Sequence, residues 1–368
     1  MKKYLIITPF FRDDPSCSRP AFIEQCLKEE GSEVLVITSD FCHHSKNKVK
    51  IEREEVLQVQ TIRYQSNKSI KRFLSHFILS ISLFVEAAKY RNSYDVIYIT
   101  APFALTILFL KIFCKHKIVV DIVDFWPVSL PFKRKGFPFS IWKFINKIAI
   151  NQCDVCISTS KTFLSYFDSE EKRHHVLLGN KKVTDRKNKS AVFDKNELDL
   201  LYLGNVGRLY DFSTLIMAIK KSGLSVKLHI VGDGDYLPGL IEMLKVNRIK
   251  FQHYGSIYDS NKLKVIADKC DFGFNGYRNT NASYSYKASS YFRFGLPIIN
   301  SMQGDLENYV DEFGIGYNYT SEDSQQLALI LNKAFHCRIE NSKVFGFFDN
   351  YLDFEVVKHK VLKIFKGI

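Results

Sequence analysis

Short apolar runs rich in β-branched residues alternate with amphipathic stretches along most of this chain. Residues 3–8, 33–38, 95–100, 117–122 and 154–159 read as buried strands. Between them, 19–30, 70–89, 104–114 and 141–151 read as helices. In the first helix Phe22, Ile23, Cys26 and Leu27 recur at helical spacing, and Gly31 stands where a C-terminal cap belongs. The stretch 178–198 breaks the rhythm, being polar and basic with almost no apolar periodicity, and reads as a linker. The alternation then restarts. Strands are expected at 198–203, 225–231, 249–253, 272–275 and 297–300, and helices at 212–222, 236–246, 261–269 and 285–294, before a terminal amphipathic helix over 349–365.

Strands alternating with helices in this way imply parallel βαβ units. Two series around a linker predict two Rossmann-like α/β domains. The expected bounds are 1–180 and 198–348, joined by 181–197, with the terminal helix 349–368 free to return to the first domain. A cleft between such domains would set the C-terminal ends of both sheets opposite one another.

Composition narrows the class. The 368 residues are 46% hydrophobic and 25% charged, which is globular rather than disordered. Met1-Lys2-Lys3 leads straight into the first strand, without the apolar core and cleavage site of a secretory signal. The longest uncharged stretch, 96–110, has 15 residues and falls short of the ~18 that suggest a membrane span. The eight cysteines lack framework spacing, which fits a reducing compartment. Cys153 and Cys156 form a CxxC inside a strand-like run with no second pair, so they read as buried thiols rather than a metal or redox site. These features point to the cytoplasm.

Charge is uneven. Up to Ser190 there are 31 lysines and arginines against 19 acidic residues; beyond it, 21 against 20. The excess reads either as a solvated basic surface or as a first half that faces something anionic, a lipid headgroup surface or a phosphorylated substrate; an anionic membrane surface is the expectation. No zinc-finger spacing, RNP-like stretch or helix-turn-helix pattern supports nucleic acid. Two stretches interleave basic and aromatic residues as an interfacial contact with anionic lipid would require. One runs from Phe132 through Lys133-Arg134-Lys135 to Trp142; the other lies in 70–89, with Lys71, Arg72, Phe73, Phe77 and Phe84.

Candidate chemistry concentrates in the second half. The strand 198–203 runs into Gly204-Asn205-Val206-Gly207-Arg208, and Asp211 opens the next helix. Small residues at 204 and 207 allow close backbone approach, the helix start favours anions, and Arg208 adds a permanent cation, a set that suits a diphosphate. The strand 225–231 ends in Gly232-Asp233-Gly234-Asp235, read as a donor-side turn and not as a metal-binding DxD. The helix beginning after Ser283 and Ser285 carries Tyr286 and Lys287 in its first turn. A lysine there opposes the helix dipole by ~0.3–1 kcal/mol, a penalty that a bound anion would reverse.

These residues resemble those of family 4-like GT-B glycosyltransferases. Gly204–Arg208 followed by 212–216 looks like the family's phosphate loop, and 228–234, 251–255 and 267–271 resemble its later landmarks in order. Residues 286–299 match its K-x-x-[E/S]-Y-x5-P-[VI]-I element. Where many members carry a paired-glutamate motif, this chain has Ser283 and Ser290, which resembles a galactofuranosyltransferase-like branch. In the first half Asp121-Ile122-Val123-Asp124-Phe125-Trp126-Pro127 resembles the family's D-x-H-D-x-W-P, with Val123 in place of a frequently catalytic His.

The resemblance implies a GT-B fold and a metal-independent hexosyltransferase of the EC 2.4 class. It would move a sugar from a UDP- or GDP-linked donor to a polyprenyl-diphosphate-linked glycan in surface-polysaccharide synthesis, at the inner face of the plasma membrane, without a further cofactor. Family 4 membership implies retention at the anomeric carbon; the galactofuranosyl-like branch leaves that open. The expected donor residues are Gly204, Asn205, Gly207, Arg208, Gly232, Asp233, Tyr286, Lys287 and Ser290. Asp124, Arg208 and Lys287 are the catalytic candidates, and Arg12, Asp13, His43 and Trp126 the acceptor-side ones. Two alternatives stand beside this reading: a catalytically silent scaffold of the same fold, and a nucleotide-sugar epimerase.

Overall fold

A computed structural model describes residues 2–16, 18–42, 46–65, 70–101, 103–128, 136–186, 196–278, 280 and 282–368. The chain forms two compact units, Met1–Gly179 with Glu355–Ile368, and Asn180–Phe354.

The first unit is built on a parallel seven-stranded sheet of order β5-β2-β1-β6-β7-β8-β9. Its strands are β1 (Lys3–Ile7), β2 (Glu33–Ser39), β5 (Val56–Val59), β6 (Val96–Ala101), β7 (Lys117–Ile122), β8 (Val155–Ser158) and β9 (Arg173–His175). A two-stranded antiparallel ladder, β3 (Phe41–Cys42) and β4 (Asn47–Lys48), follows β2. Alternation along the strands sorts side chains between two layers. Leu5, Ile7, Ile97, Ile99, Ile118 and Val120 join a core with Leu79, Leu83, Ile107, Leu110, Ala149 and Ile150. Those last six belong to the helices α2 (Ile70–Lys89), α3 (Ala104–Phe113) and α4 (Phe137–Asn151).

Tyr4 and Tyr98 point the other way and meet Phe365 of α13 (Phe354–Lys366), with ring centroids 5.7 and 6.3 Å apart. On this side lies α1 (Arg19–Glu29), whose Glu29 pairs with Lys358 of α13. A short α5 (Lys161–Leu164) follows β8, its Ser160 side chain accepting from Phe163 N.

The second unit repeats the plan with six parallel strands of order β12-β11-β10-β13-β14-β15. They are β10 (Leu198–Leu203), β11 (Val226–Val231), β12 (Lys250–His253), β13 (Phe272–Asn275), β14 (Ile298–Asn300) and β15 (Gly316–Asn318). The helices are α6 (Phe212–Ser222), α7 (Leu237–Val246), α8 (Ser260–Ala267), α9 (Tyr286–Arg293), α10 (Asp305–Phe313), α11 (Ser324–His336) and α12 (Asn341–Tyr351). Gly223 and Gly314, both at positive φ, end α6 and α10 as left-handed caps.

Both sheets have the doubly wound order in which strand succession reverses beside the first strand. That reversal falls between β1 and β6 in one unit and between β10 and β13 in the other. The expected α/β fold class, two Rossmann-like domains, is therefore what the chain forms.

Several elements depart from expectation. The expected single helix 349–365 is two helices: α12 stops at Tyr351, and Leu352 N returns to Phe348 O at 2.8 Å before α13 begins. Within 181–197, Arg186 lies in the second unit, ion-paired to Asp349 and set over the Phe345 ring at 4.4 Å. Residues 187–195 lie outside the described set. The ladder β3–β4, the edge strands β5, β9 and β15, and the helices α5, α10, α11 and α12 were not anticipated. Asp211 occupies the N-cap of α6 without capping it. Its buried carboxylate instead accepts from Thr214 Oγ1 at 2.6 Å and Glu322 N at 2.9 Å, and pairs with Arg278.

Candidate functional site

The second unit gathers the expected donor residues at its strand-reversal point. β10 and β13 pair at Leu200↔Phe272 and Leu201↔Gly273. The Tyr291 hydroxyl then sits between them, accepting from Leu203 N at 3.0 Å and donating to Phe274 O at 3.1 Å. A Cβ on Gly273 would meet the Tyr291 ring at 2.4 Å, so glycine there is a packing requirement. Tyr291 thus pins α9 over the gap. Lys287, four residues earlier and on the same helix face, is held above the end of β10.

Lys287 Nζ donates to Tyr202 Oη at 2.8 Å. It also lies over three rings, with centroids at 4.3 Å for Tyr202, 3.3 Å for Tyr210 and 5.1 Å for Tyr277. Among the described residues no carboxylate pairs with it. Burial accordingly pulls its pKa well below the ordinary lysine value. The Tyr202 hydroxyl in turn donates to Asn205 O, linking lysine and loop.

That loop, 204–208, is folded onto the turn after β11. Val206 N donates to Asp233 O at 2.8 Å, and Tyr236 N to Val206 O at 3.1 Å. A Cβ on Gly232, at φ +136°, would fall 1.9 Å from Gly204 O; one on Gly234 would fall 2.2 Å from Val206 O. The glycines of the GDGD turn therefore serve loop-on-loop packing. Gly204 is at φ +108°, with the Lys287 Cδ in van der Waals range of where its side chain would begin. The Asp233 carboxylate closes its own turn by accepting from Gly234 N at 2.7 Å.

Arg208 is exposed, its guanidinium 6.0 Å from the Tyr236 ring centre, and it has no other partner among the described residues. Tyr286 is exposed at the start of α9. Ser290 is one turn along, its hydroxyl in a 3.4 Å bond to Tyr286 O. Ser285 holds the N-cap position of α9 without a capping bond from its side chain; its Oγ lies 3.1 Å from Tyr277 Oη, and Ser283 Oγ donates to Asp305 at 2.7 Å.

In the first unit the acceptor-side candidates separate. His43 lies outside the described residues. Arg12 is exposed with no partner among them. Asp13 is ion-paired to Arg53, at a recess of about 330 Å³ that Glu24 and Lys28 also line.

Asp124 and Trp126 stand together after β7. Trp126 stacks on His76 at 5.1 Å and 14°, and the Arg72 guanidinium lies 5.2 Å over the indole. The Asp124 residue is exposed, yet the protein crowding its carboxyl raises its pKa to about 6, with the Arg72 charge pulling the other way. His76 is buried, 3.3 Å from Tyr64 Oη and stacked on Phe103. Sequence reasoning missed His76 and Arg72 as neighbours of Trp126, because α2 lies about fifty residues upstream and no spacing rule joins them. Asp121 is fully buried with Arg19 and the Tyr98 hydroxyl, and is structural. Cys153 and Cys156 are buried free thiols raised by that burial. Among the described residues no group of three His, Cys, Asp or Glu side chains could hold a metal ion.

No known family pattern matches the chain, and no curated protein matches it in sequence. In three dimensions its neighbours include glycosyltransferases, two of them from lipopolysaccharide synthesis. Sucrose-phosphate synthase from Thermosynechococcus elongatus superposes with a TM-score of 0.75 at 15% identity, over 100% of this chain and 99% of that one. Anabaena HepE in complex with UDP gives 0.71 at 14%, over the whole of both chains. The lipopolysaccharide outer core galactosyltransferase WaaB gives 0.69 at 16%, again over both entire chains. At such identities the likeness establishes the fold.

Proposed function

We propose that this protein is a glycosyltransferase that takes a sugar from a UDP- or GDP-linked donor and passes it to a hydroxyl of a lipid-linked glycan in surface-polysaccharide synthesis. The observation that carries this reading is Lys287: a half-buried lysine with no carboxylate partner among the described residues, set over a glycine loop at the strand-reversal point of its sheet. An anion placed there would raise its lowered pKa again and gain a cationic partner. HepE, of the same fold, was solved with UDP and with UDP-glucose.

In this reading the diphosphate lies against 204–208 and Lys287, with Arg208 swinging from Tyr236 to the outer phosphate. As the bond from the sugar to the diphosphate breaks, these cations stabilise the charge left on the phosphate, a task otherwise given to a divalent ion. Ser290 and Tyr286 would face the nucleoside. Asp124, poised near pH 6, would accept the proton of the acceptor hydroxyl, and the part-exposed Trp126 beside it would border the acceptor. The lipid-linked acceptor places the protein at the cytoplasmic surface of a membrane. Among the described residues no helix is long and apolar enough to cross one.

Incubation with a panel of nucleotide sugars and a synthetic polyprenyl-diphosphate glycan tests this. Sugar transfer is expected. Acceptor-independent inversion at C2 would make it an epimerase, and binding without turnover a scaffold.

A further inference from the structure

Three neighbouring helices, α2, α3 and α4, cover one layer of the first sheet, and their outer sides remain apolar. On α4 the exposed residues are Phe137 (78%), Ile141, Phe144 (63%), Ile145 and Ile148, one stripe at helical spacing. On α2 a second stripe comprises Phe73 (63%), Leu74, Phe77, Ile81 and Val85, and α3 ends in exposed Ile112 and Phe113. Isolated exposed hydrophobics are ordinary on a soluble protein; two such stripes with an exposed apolar helix end beside them are not.

The charge on these helices chooses the occupant. They carry Lys71, Arg72, Lys89, Lys111, Lys143 and Lys147 against a single acid of their own, Glu86, which is paired to Lys89. Lys111 and Lys147 are paired to Asp154 and Asp168 outside these helices, and the net charge of the face stays positive. A second copy presenting the same face would set cations against cations. An anionic headgroup layer over an apolar interior matches both features.

We propose that the α2–α3–α4 face docks on an anionic bilayer, with Phe77, Phe137 and Phe144 entering the headgroup–acyl boundary and the lysines lying among the phosphates. This rests on the reading of the acceptor as lipid-linked. The geometry gives it a route: exposed Phe73 contacts Trp142, which contacts Trp126, each at 6.0 Å between ring centres, so a chain of rings leads from this face to the Asp124 neighbourhood.

The test is co-sedimentation of the full chain with vesicles of pure phosphatidylcholine and of phosphatidylcholine with a third phosphatidylglycerol. Binding is expected only to the anionic vesicles, falling as salt is raised. Phe144→Glu and Phe77→Glu should each weaken it about tenfold or more, and Lys71→Glu roughly fivefold or more. UDP and GDP binding, measured on the same variants, should be unchanged; both fall together only if the variants unfold, and Phe144→Ser then replaces Phe144→Glu. Equal binding to both vesicles, or concentration-dependent dimers in sedimentation with no vesicle binding, would overturn the proposal. Vesicle binding without any sugar transfer would leave it standing and remove the transferase reading instead.

Discussion

At Lys287 the Tyr202 hydroxyl and three rings offset only part of the desolvation cost, and no carboxylate among the described residues offsets the rest. A lysine whose folded pKa is depressed gives up stability as pH falls below its unfolded value, because protonation must then occur in a dry place. Lys287→Met keeps most of the stem and removes the charge. The unliganded variant should therefore be as stable as the parent at neutral pH, or more so, in a thermal melt. Its affinity for a nucleoside diphosphate should fall roughly 10- to 100-fold. In the parent, that affinity should weaken as pH rises through the lowered lysine pKa. Asp124 carries the opposite sign. Its pKa is raised to about 6, so a base at this position is active above that pH. Turnover should climb as pH passes 6, and Asp124→Asn should lose about 100-fold or more in kcat together with that limb of the profile. A pH–rate curve unchanged by Asp124→Asn would remove it from the reaction.

Among elements, the loop 204–208 and the turn 232–235 fold as one piece, and glycine makes that possible. Gly232→Ala would drive a methyl into Gly204 O at a backbone angle that L residues avoid. We expect a loss of about 2 kcal/mol or more in chemical denaturation, with diphosphate binding lost in step. Phe365→Ala on α13 should cost about 3 kcal/mol, since its ring seals Tyr4 and Tyr98 on the sheet.

Strands with a continuous apolar run, such as β1, β6, β7, β10 and β11, were legible in the sequence because both of their faces are buried. Three of the four edges were not: β9 is Arg-His-His, β5 is four residues of mixed burial and β15 has three residues, whereas the edge strand β12 was expected at 249–253. The split of the terminal helix at 352–353 gave no Pro or Gly signal. Within the site, Lys287 was legible because a first-turn lysine opposes the dipole. Its aromatic surround was not, since Tyr202, Tyr210 and Tyr277 come from three separate segments and meet only in the fold. For Asp211, the tertiary network of Arg278, Thr214 and Glu322 outweighed the local cap that its position suggested.

On the scale of the whole molecule, two units with separate cores divide the properties. The basic excess and the exposed apolar helices belong to the first, the lysine-over-glycine-loop arrangement to the second. Ligand binding should therefore stabilise the second unit, by about 2.7 kcal/mol at a hundredfold excess over Kd, whereas Phe365→Ala acts on the first.

The most direct measurement is calorimetric titration of the parent and Lys287→Met with UDP, GDP and their nucleosides. One diphosphate should bind the parent far more tightly than its nucleoside does, and the variant should lose that difference while keeping nucleoside affinity. Equal losses for diphosphate and nucleoside, or no diphosphate preference in the parent, would contradict the account.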